Sequence, residues 1–399
     1  MSAVVASRHD VVVVGARCAG AATAMLLARA GHDVVLVDRG RPSGDTVSTH
    51  SLVRGGVVQL ARWGLLDEVL AGGAPPIRSV SFHRYGVGAP EPVRRTVKDK
   101  AGVDMMLAPR RHVLDRIVAD AAVRAGAALL TGTTVRQVIR NADGRVTGVA
   151  TEDPYGRRRQ LNARLVVGAD GVHSTMASHF GAATLESYAP SGTCFYTYVG
   201  DVAWDGFEFH LGDDAFAGVF PTHDGQACVW LNRPLAASRP LLSAGAGRLD
   251  TWRRTLHATV PGLAHRIRNG SIHGPIRGTA ALPNHLRRPT GPGWALVGDA
   301  GYHRDPITGH GITDAYRDAE LLAEAADRAL RVPADEAAAM AGYRDRRHAA
   351  IADTFRLTRD LGAFPPPARF VELQTEFGRA LDVEALDLAA RPVPAVPVG

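Results

Sequence analysis

The chain has 399 residues, 46% hydrophobic and 22% charged, an ordinary balance for a globular protein with one large or two joined domains and a sizeable core. Its net charge of +6 comes from scattered arginines rather than a basic block, which fits a mildly positive field and anionic small molecules and argues against nucleic acid. No apolar run approaches the ~20 residues of a membrane span, and Cys18, Cys194 and Cys228, far apart and without CxxC or Cys/His spacing, exclude a disulfide framework and name no metal site.

Structured sequence starts almost at Met1, so no signal peptide is expected and reduced cysteines fit a cytoplasmic protein. Four valines at 11–14 predict a strand buried on both faces of a parallel sheet. Gly15, Ala16, Arg17, Cys18, Ala19 and Gly20 form a glycine-bearing turn, 21–30 a helix with Gly31 at its C-cap, and 34–37 a second buried strand that ends at Asp38 and Arg39. This is a dinucleotide-binding βαβ unit. The turn offers backbone N–H groups and a positive helix N-terminus to a pyrophosphate, and Asp38, at about the twenty-residue distance expected, takes a ribose hydroxyl. Arg17 stands where the pattern has its second glycine. Either its guanidinium pairs the phosphates from a loop set slightly further out, or the site has lost its ligand.

Beyond this unit, 42–49 is a polar loop, 52–60 and 63–70 are helical, 80–85 alternates like a strand, and 86–100 is a hairpin or loop. Residues 105–127 predict a short strand, a turn at Pro109 and a helix; 129–138 and 146–152 predict strands, and 159–167 two more, ending in Gly168-Ala169-Asp170-Gly171. Over 192–231 short alternating strands carry many aromatics, which marks a separate, mostly antiparallel sheet. One set of aromatics packs that sheet; the other face is free to line a cavity, with Tyr196, Tyr198, Phe209, Phe220 and Trp230 as candidate substrate contacts. Then come a helix at 248–265, a strand at 276–282, a buried strand and loop at 293–300, long helices at 312–331 and 336–361, a Pro365-Pro366-Pro367 break, short helices and a mobile Pro/Val tail.

Three motifs at these separations resemble the FAD-dependent monooxygenase superfamily of the para-hydroxybenzoate hydroxylase type, which includes the geranylgeranyl reductases and flavin-dependent halogenases. They are the opening fingerprint, the Asp170-Gly171 pair in its strand-ending turn, and Gly298-Asp299-Ala300 followed by Pro306, Gly309 and Gly311. The resemblance implies that Asp170 supports the pyrophosphate region, Asp299 the ribityl chain, and Pro306 the isoalloxazine. It also implies that Gly309, Gly311 and Ile312 begin a helix whose N-terminus points at flavin N1 and C2=O, and that Arg111, in Arg111-His112-Val113-Leu114, contacts FAD. Tyr302 replaces the usual His, with His303 adjacent, and Thr313 stands where Asn is common.

The implied fold is α/β: an FAD-binding Rossmann-like domain with an inserted, mostly antiparallel β-sheet substrate domain and C-terminal helices. The expected division assigns 1–75, 101–180 and 276–350 to the FAD-binding domain, 76–100 and 181–275 to the substrate sheet, and 351–399 to C-terminal helices and tail. The implied reaction is NAD(P)H-dependent reduction of FAD, then oxygenation of a small apolar or aromatic molecule by O2 through a flavin C4a-hydroperoxide, in specialised metabolism. One fingerprint means no separate nicotinamide domain, so NAD(P)H binds transiently. The alternative is a reductase or dehydrogenase of geranylgeranyl reductase type that activates no oxygen. A halogenase is disfavoured, because neither Lys98 nor Lys100 stands in the corresponding region. His50 and Arg54 are the polar candidates for flavin movement or substrate contact, and His303 for acid/base work or for holding the Asp299 loop; a monomer or homodimer is expected.

Overall fold

The computed structural model describes residues 5–40, 44–86 and 88–392. Its nucleotide-type sheet has eight strands, with Val5–Val14 at the centre of a parallel set between Val34–Val37 and Arg158–Gly168, and with Ala128–Leu130 and Trp294–Leu296 beyond them. Val11, Val12 and Val13 are fully buried, because helices cover one face and a second apolar layer the other. That is why the strand is a run of valines rather than an alternation. The carboxyl ends of these strands carry Gly15, Asp38, Asp170 and Gly298, so all three motifs emerge at one edge.

The aromatic segment forms a seven-stranded sheet in the order Ser271–Ala280, Gly192–Gly200, Ala227–Pro234, Ala215–Pro221, Phe207–Gly212, Ser79–Arg84 and Val93–Thr96. Alternation sorts its side chains. Tyr196, Tyr198, Phe207, Phe216, Phe220 and Trp230 share one face with Ile307 and with Phe370, Leu373 and Phe377 of the last helix. Phe195, Val199, Val219, Val229 and Leu231 share the other with Trp252, Leu256 and Leu263.

Several elements differ from the sequence expectation. The strand expected over 276–282 is Ser271–Ala280, which pairs with Gly192–Gly200 in the aromatic sheet, so the chain leaves that sheet only after Ala280. The strand expected over 129–138 is two, Ala128–Leu130 and Thr134–Arg140, divided at Gly132 (φ 65°), where the chain turns from the parallel sheet into a hairpin. The two strands expected over 159–167 are one, Arg158–Gly168, long enough to pair with both the hairpin and Val5–Val14. The helix expected over 248–265 breaks at Val260, before Pro261. A three-stranded sheet of Thr184–Tyr188, Asn284–Arg287 and Tyr302–His303 was not foreseen. In place of short helices after the triple proline stands one helix, Pro367–Ala390, which runs on through Gly378 because its apolar face is buried against the aromatic sheet. The beginning of the polar loop at 42–43 and the tail from 393 lie outside the described residues.

Candidate active site

The glycines bring the three motifs together. A methyl group on Gly15 (φ 111°) would lie 2.3 Å from the Ala169 carbonyl oxygen, one on Gly20 1.8 Å from the Gly15 carbonyl oxygen, and one on Gly298 (φ 59°) 2.7 Å from Ala19 Cβ. The turn therefore packs against the Asp170 loop on one side and the Asp299 loop on the other, with no room for larger residues. Arg17 is different. It is the N-cap of helix Cys18–Arg29 in an ordinary extended conformation (φ −97°), so the backbone does not demand glycine there. Its exposed guanidinium donates to Thr46 Oγ1 at 2.5 Å. Asp38 accepts from the N–H groups of Ala16 and Gly40, both at 2.7 Å, which fixes the turn and leaves the carboxylate at its mouth. Arg39 is exposed beside it.

The third motif holds a half-buried acid. The Asp299 carboxylate has no hydrogen bond or ion pair among the described residues, and burial raises its pKa above the ordinary value. His285 Nε2–H donates to its carbonyl oxygen at 3.1 Å, and His303 Nδ1–H to that of Pro283 at 2.7 Å, so both histidines brace the loop. Asp305 caps the Pro306–Thr308 turn, Gly309 (φ 61°) reverses the chain, and helix Gly311–Arg331 begins with Ile312 buried behind it. Gly311 is exposed, with open space where a Cβ would stand, and the Thr313 Oγ1 one turn in is buried without a partner among the described residues.

Two other motif residues have partners inside the chain. Asp170 accepts from Ser174 Oγ, from Thr175 N–H at 2.7 Å and from Met176 N–H at 3.0 Å, and so caps helix Thr175–Phe180. Arg111 donates from Nε to Asp115 at 2.9 Å, beneath Cys18, whose thiol also donates to Asp115.

Between the fingerprint edge and the aromatic face lies a polar cluster that sequence reading named only in part. His50, fully buried with φ 67°, places Nε2 2.5 Å from the Tyr198 hydroxyl; its Nδ1 has no partner among the described residues. The Arg110 guanidinium covers the Tyr198 ring at 3.7 Å and pairs with Asp45, which also binds His112 Nδ1 at 3.0 Å. Tyr196 accepts from the Ser48 N–H at 3.2 Å, which seats the 44–50 loop on the sheet. Burial pushes His50 down to about 3 and the Tyr198 phenol up, so both are neutral near pH 7. Asp45 is held below the carboxylate range: burial opposes this, but bonds from Arg110 and His112 outweigh it. Asp45, Arg110 and His112 were missed as site residues. Their signal was weak, an acid in a polar loop and an Arg-Arg-His run before a helix.

Phe209, Phe220 and Trp230 stand on the same face as Tyr196 and Tyr198, with Trp230 5.3 Å from Phe220 and 6.1 Å from Phe209 between ring centres. Arg54 is elsewhere. It donates to the carbonyls of Lys98, at 2.8 Å, and Val103, and pairs with Asp382 at 3.7 Å, tying the 98–103 loop to the last helix. A cavity of about 500 Å3 lined by Arg8, Asn162, Arg164 and Met340 lies at the opposite end of the parallel strands and belongs to none of this.

A family model described as an FAD binding domain matches residues 8–241. A digeranylgeranylglycerophospholipid reductase of Methanocella arvoryzae is 27% identical over 84% of this chain and 82% of its own. A menaquinone reductase of Mycolicibacterium smegmatis is 29% identical over 80% of this chain and 76% of its own. Among solved structures, PqsL of Pseudomonas aeruginosa, described as "a probable FAD-dependent monooxygenase", shares the fold with a TM-score of 0.75 and 23% identity, over 94% of this chain and 100% of that one. No helix among the described residues is long and apolar enough to cross a membrane.

Proposed function

This chain belongs to the family of proteins built on that FAD-binding domain and is an FAD-binding oxidoreductase; from that premise we propose a monooxygenase that uses NAD(P)H and O2 on a small aromatic molecule. The residues fit the cofactor. A half-buried carboxylate at Asp299 with no partner among the described residues, an open helix N-terminus at Gly311 and a glycine turn that admits no Cβ supply, in order, a hydroxyl acceptor, an anion-binding end and a close backbone approach. Bound FAD would supply hydride acceptance and the activation of oxygen. Asp38 would take a ribose hydroxyl, and Gly15 to Gly20 the pyrophosphate. Arg17→Ala tests whether the guanidinium assists. Its melting temperature should match the wild type, because Arg17 is exposed and its backbone unstrained. FAD affinity in a titration should fall about threefold to tenfold, the size of one exposed charge contact; equal affinity would leave Arg17 without a role.

The observation that carries the monooxygenase reading is the pairing of the aromatic face with the Asp45–His50–Arg110–Tyr198 cluster. A flat ring would be received by Tyr196, Phe209, Phe220 and Trp230, while a polar substituent would be met by Tyr198, whose O–H and His50 Nε2 share one hydrogen bond between neutral partners and so offer a polar contact without placing charge in an apolar wall. The last helix fills much of that face with Phe370, Leu373 and Phe377, all at most 4% exposed, which suits a compact substrate better than a long prenyl chain.

The reductase reading is favoured by one finding, that the relatives aligned over about four fifths of the chain carry reductase names. The two part on oxygen. With NADPH, candidate phenols and labelled O2, product carrying the label supports the monooxygenase; full turnover in anaerobic buffer with a saturated product assigns the reductase instead.

A further inference from the structure

The last helix meets the N-cap of helix Gly311–Arg331 through a buried hydrogen bond. His310 is that helix's N-cap (φ −106°, ψ 1°), and its ring is 2% exposed. Nε2–H donates to Glu384 of the last helix at 2.6 Å, and Phe377 of the same helix meets the ring edge-on at 6.1 Å. Nδ1 is buried with no partner among the described residues. The other Glu384 oxygen accepts from Arg317 at 2.7 Å; Arg317 also holds Asp314 at 2.6 Å, and Arg304, from the segment before Pro306, holds the second Asp314 oxygen at 2.8 Å.

The charged groups facing His310 are thus Glu384 and, at 3.9 Å, Asp314, with Arg304 and Arg317 behind them. His310, Asp314 and Glu384 stand close enough to share a cation, but the two guanidinium groups already fill that place. Burial by itself would raise the Glu384 pKa; His310 and Arg317 hold it below the carboxylate range, so it is charged at neutral pH.

The geometry has a consequence for the helix end. The first N–H groups of a helix have no partner within it and carry its partial positive charge. Their direction follows from the backbone of the N-cap, and the N-cap here is anchored by a side chain from another helix, 74 residues away in sequence. A buried charge-assisted hydrogen bond leaves that anchor little freedom.

We propose that the last helix is a working part of the flavin site, with Glu384 a positioning residue that, through His310, holds the Gly311 helix end toward the ring and stabilises its reduced, anionic form. This rests on the FAD reading above. Coulomb's law and positioning predict opposite signs when Glu384 becomes neutral. Loss of a nearby negative charge alone would make reduction easier; loss of the anchor turns the helix end away and makes it harder.

The test is Glu384→Gln in the full chain reconstituted with FAD, its midpoint potential read by equilibration with a reference dye. The expected result is wild-type FAD stoichiometry, a more negative potential, and partial return of the shift in Glu384→Asp. An unchanged or more positive potential overturns the proposal. Should Glu384→Gln not fold, His310→Phe, which keeps the contact with Phe377 but cannot donate, must show the same negative shift, and its absence is equally decisive. A wild-type chain that takes up no FAD brings down the flavin reading and this one with it; FAD uptake with no shift brings down this one alone.

Discussion

Asp299→Ala is expected to weaken FAD binding by about tenfold to a hundredfold and to leave the apoprotein at least as stable as the wild type. The two halves come from one fact. The carboxylate is buried enough for its pKa to be raised, yet it has no partner among the described residues. None of the described residues loses a bond when it is removed, so the usual penalty for breaking a buried pair is absent and a desolvation cost is relieved. A ligand hydroxyl that donates to it does lose a charge-assisted bond, worth about 1.5–3 kcal/mol, or one to two decades of affinity. Apoprotein titrated with FAD and followed by flavin fluorescence gives the affinity; a urea midpoint gives the stability. Wild-type affinity in the variant would mean that the third motif has been assigned the wrong task. A large loss of stability would mean that Asp299 is structural and has a partner in solution.

What could be read from sequence was what is local. Gly15 and Gly298 stand at positive φ in their own turns, Gly20 lies against the Gly15 carbonyl of the same turn, and the four valines at 11–14 report burial on both faces by themselves. The shared face of Tyr196 and Tyr198 follows from the two-residue period of a strand. What escaped was made by pairs distant in sequence. Asp45 meets Arg110, His50 meets Tyr198, and His310 meets Glu384, and no periodicity in either member announces the other. The last helix escaped for a related reason. Gly378 and the triple proline argue locally for short pieces, and only the buried contacts of Phe370, Leu373 and Phe377 with the aromatic sheet hold it as one. Asp170 shows the converse: the resemblance assigned it to the cofactor, while the Ser174-Thr175 pair beside it, a visible capping signal, accounts for the bonds it makes.

The second large effect is a loss of stability in mild acid, with His50 as a principal cause. Unfolded, its imidazole titrates near the ordinary value of about 6.5; folded, burial holds it down to about 3. Below pH 6.5 the unfolded chain therefore takes up a proton that the folded chain refuses. The favourable contribution of the neutral buried ring, complete above pH 6.5, falls away steadily as the pH drops toward 3. At pH 5 this amounts to about 2 kcal/mol for one such group. His285, held down to about 4 chiefly by burial, adds a similar loss in the same direction. The urea midpoint should thus fall clearly between pH 7.5 and pH 5. His50→Gln, whose amide can reach Tyr198 but takes no proton, should show a distinctly smaller fall, and an undiminished fall would place the acid sensitivity in other groups. The same shift limits what His50 does in turnover. A ring that is neutral from pH 5 upward bonds the Tyr198 hydroxyl as a neutral partner throughout the working range, so an acid limb in the pH–rate profile that survives His50→Gln belongs to another residue, and one that disappears would show that substrate binding raises the His50 pKa.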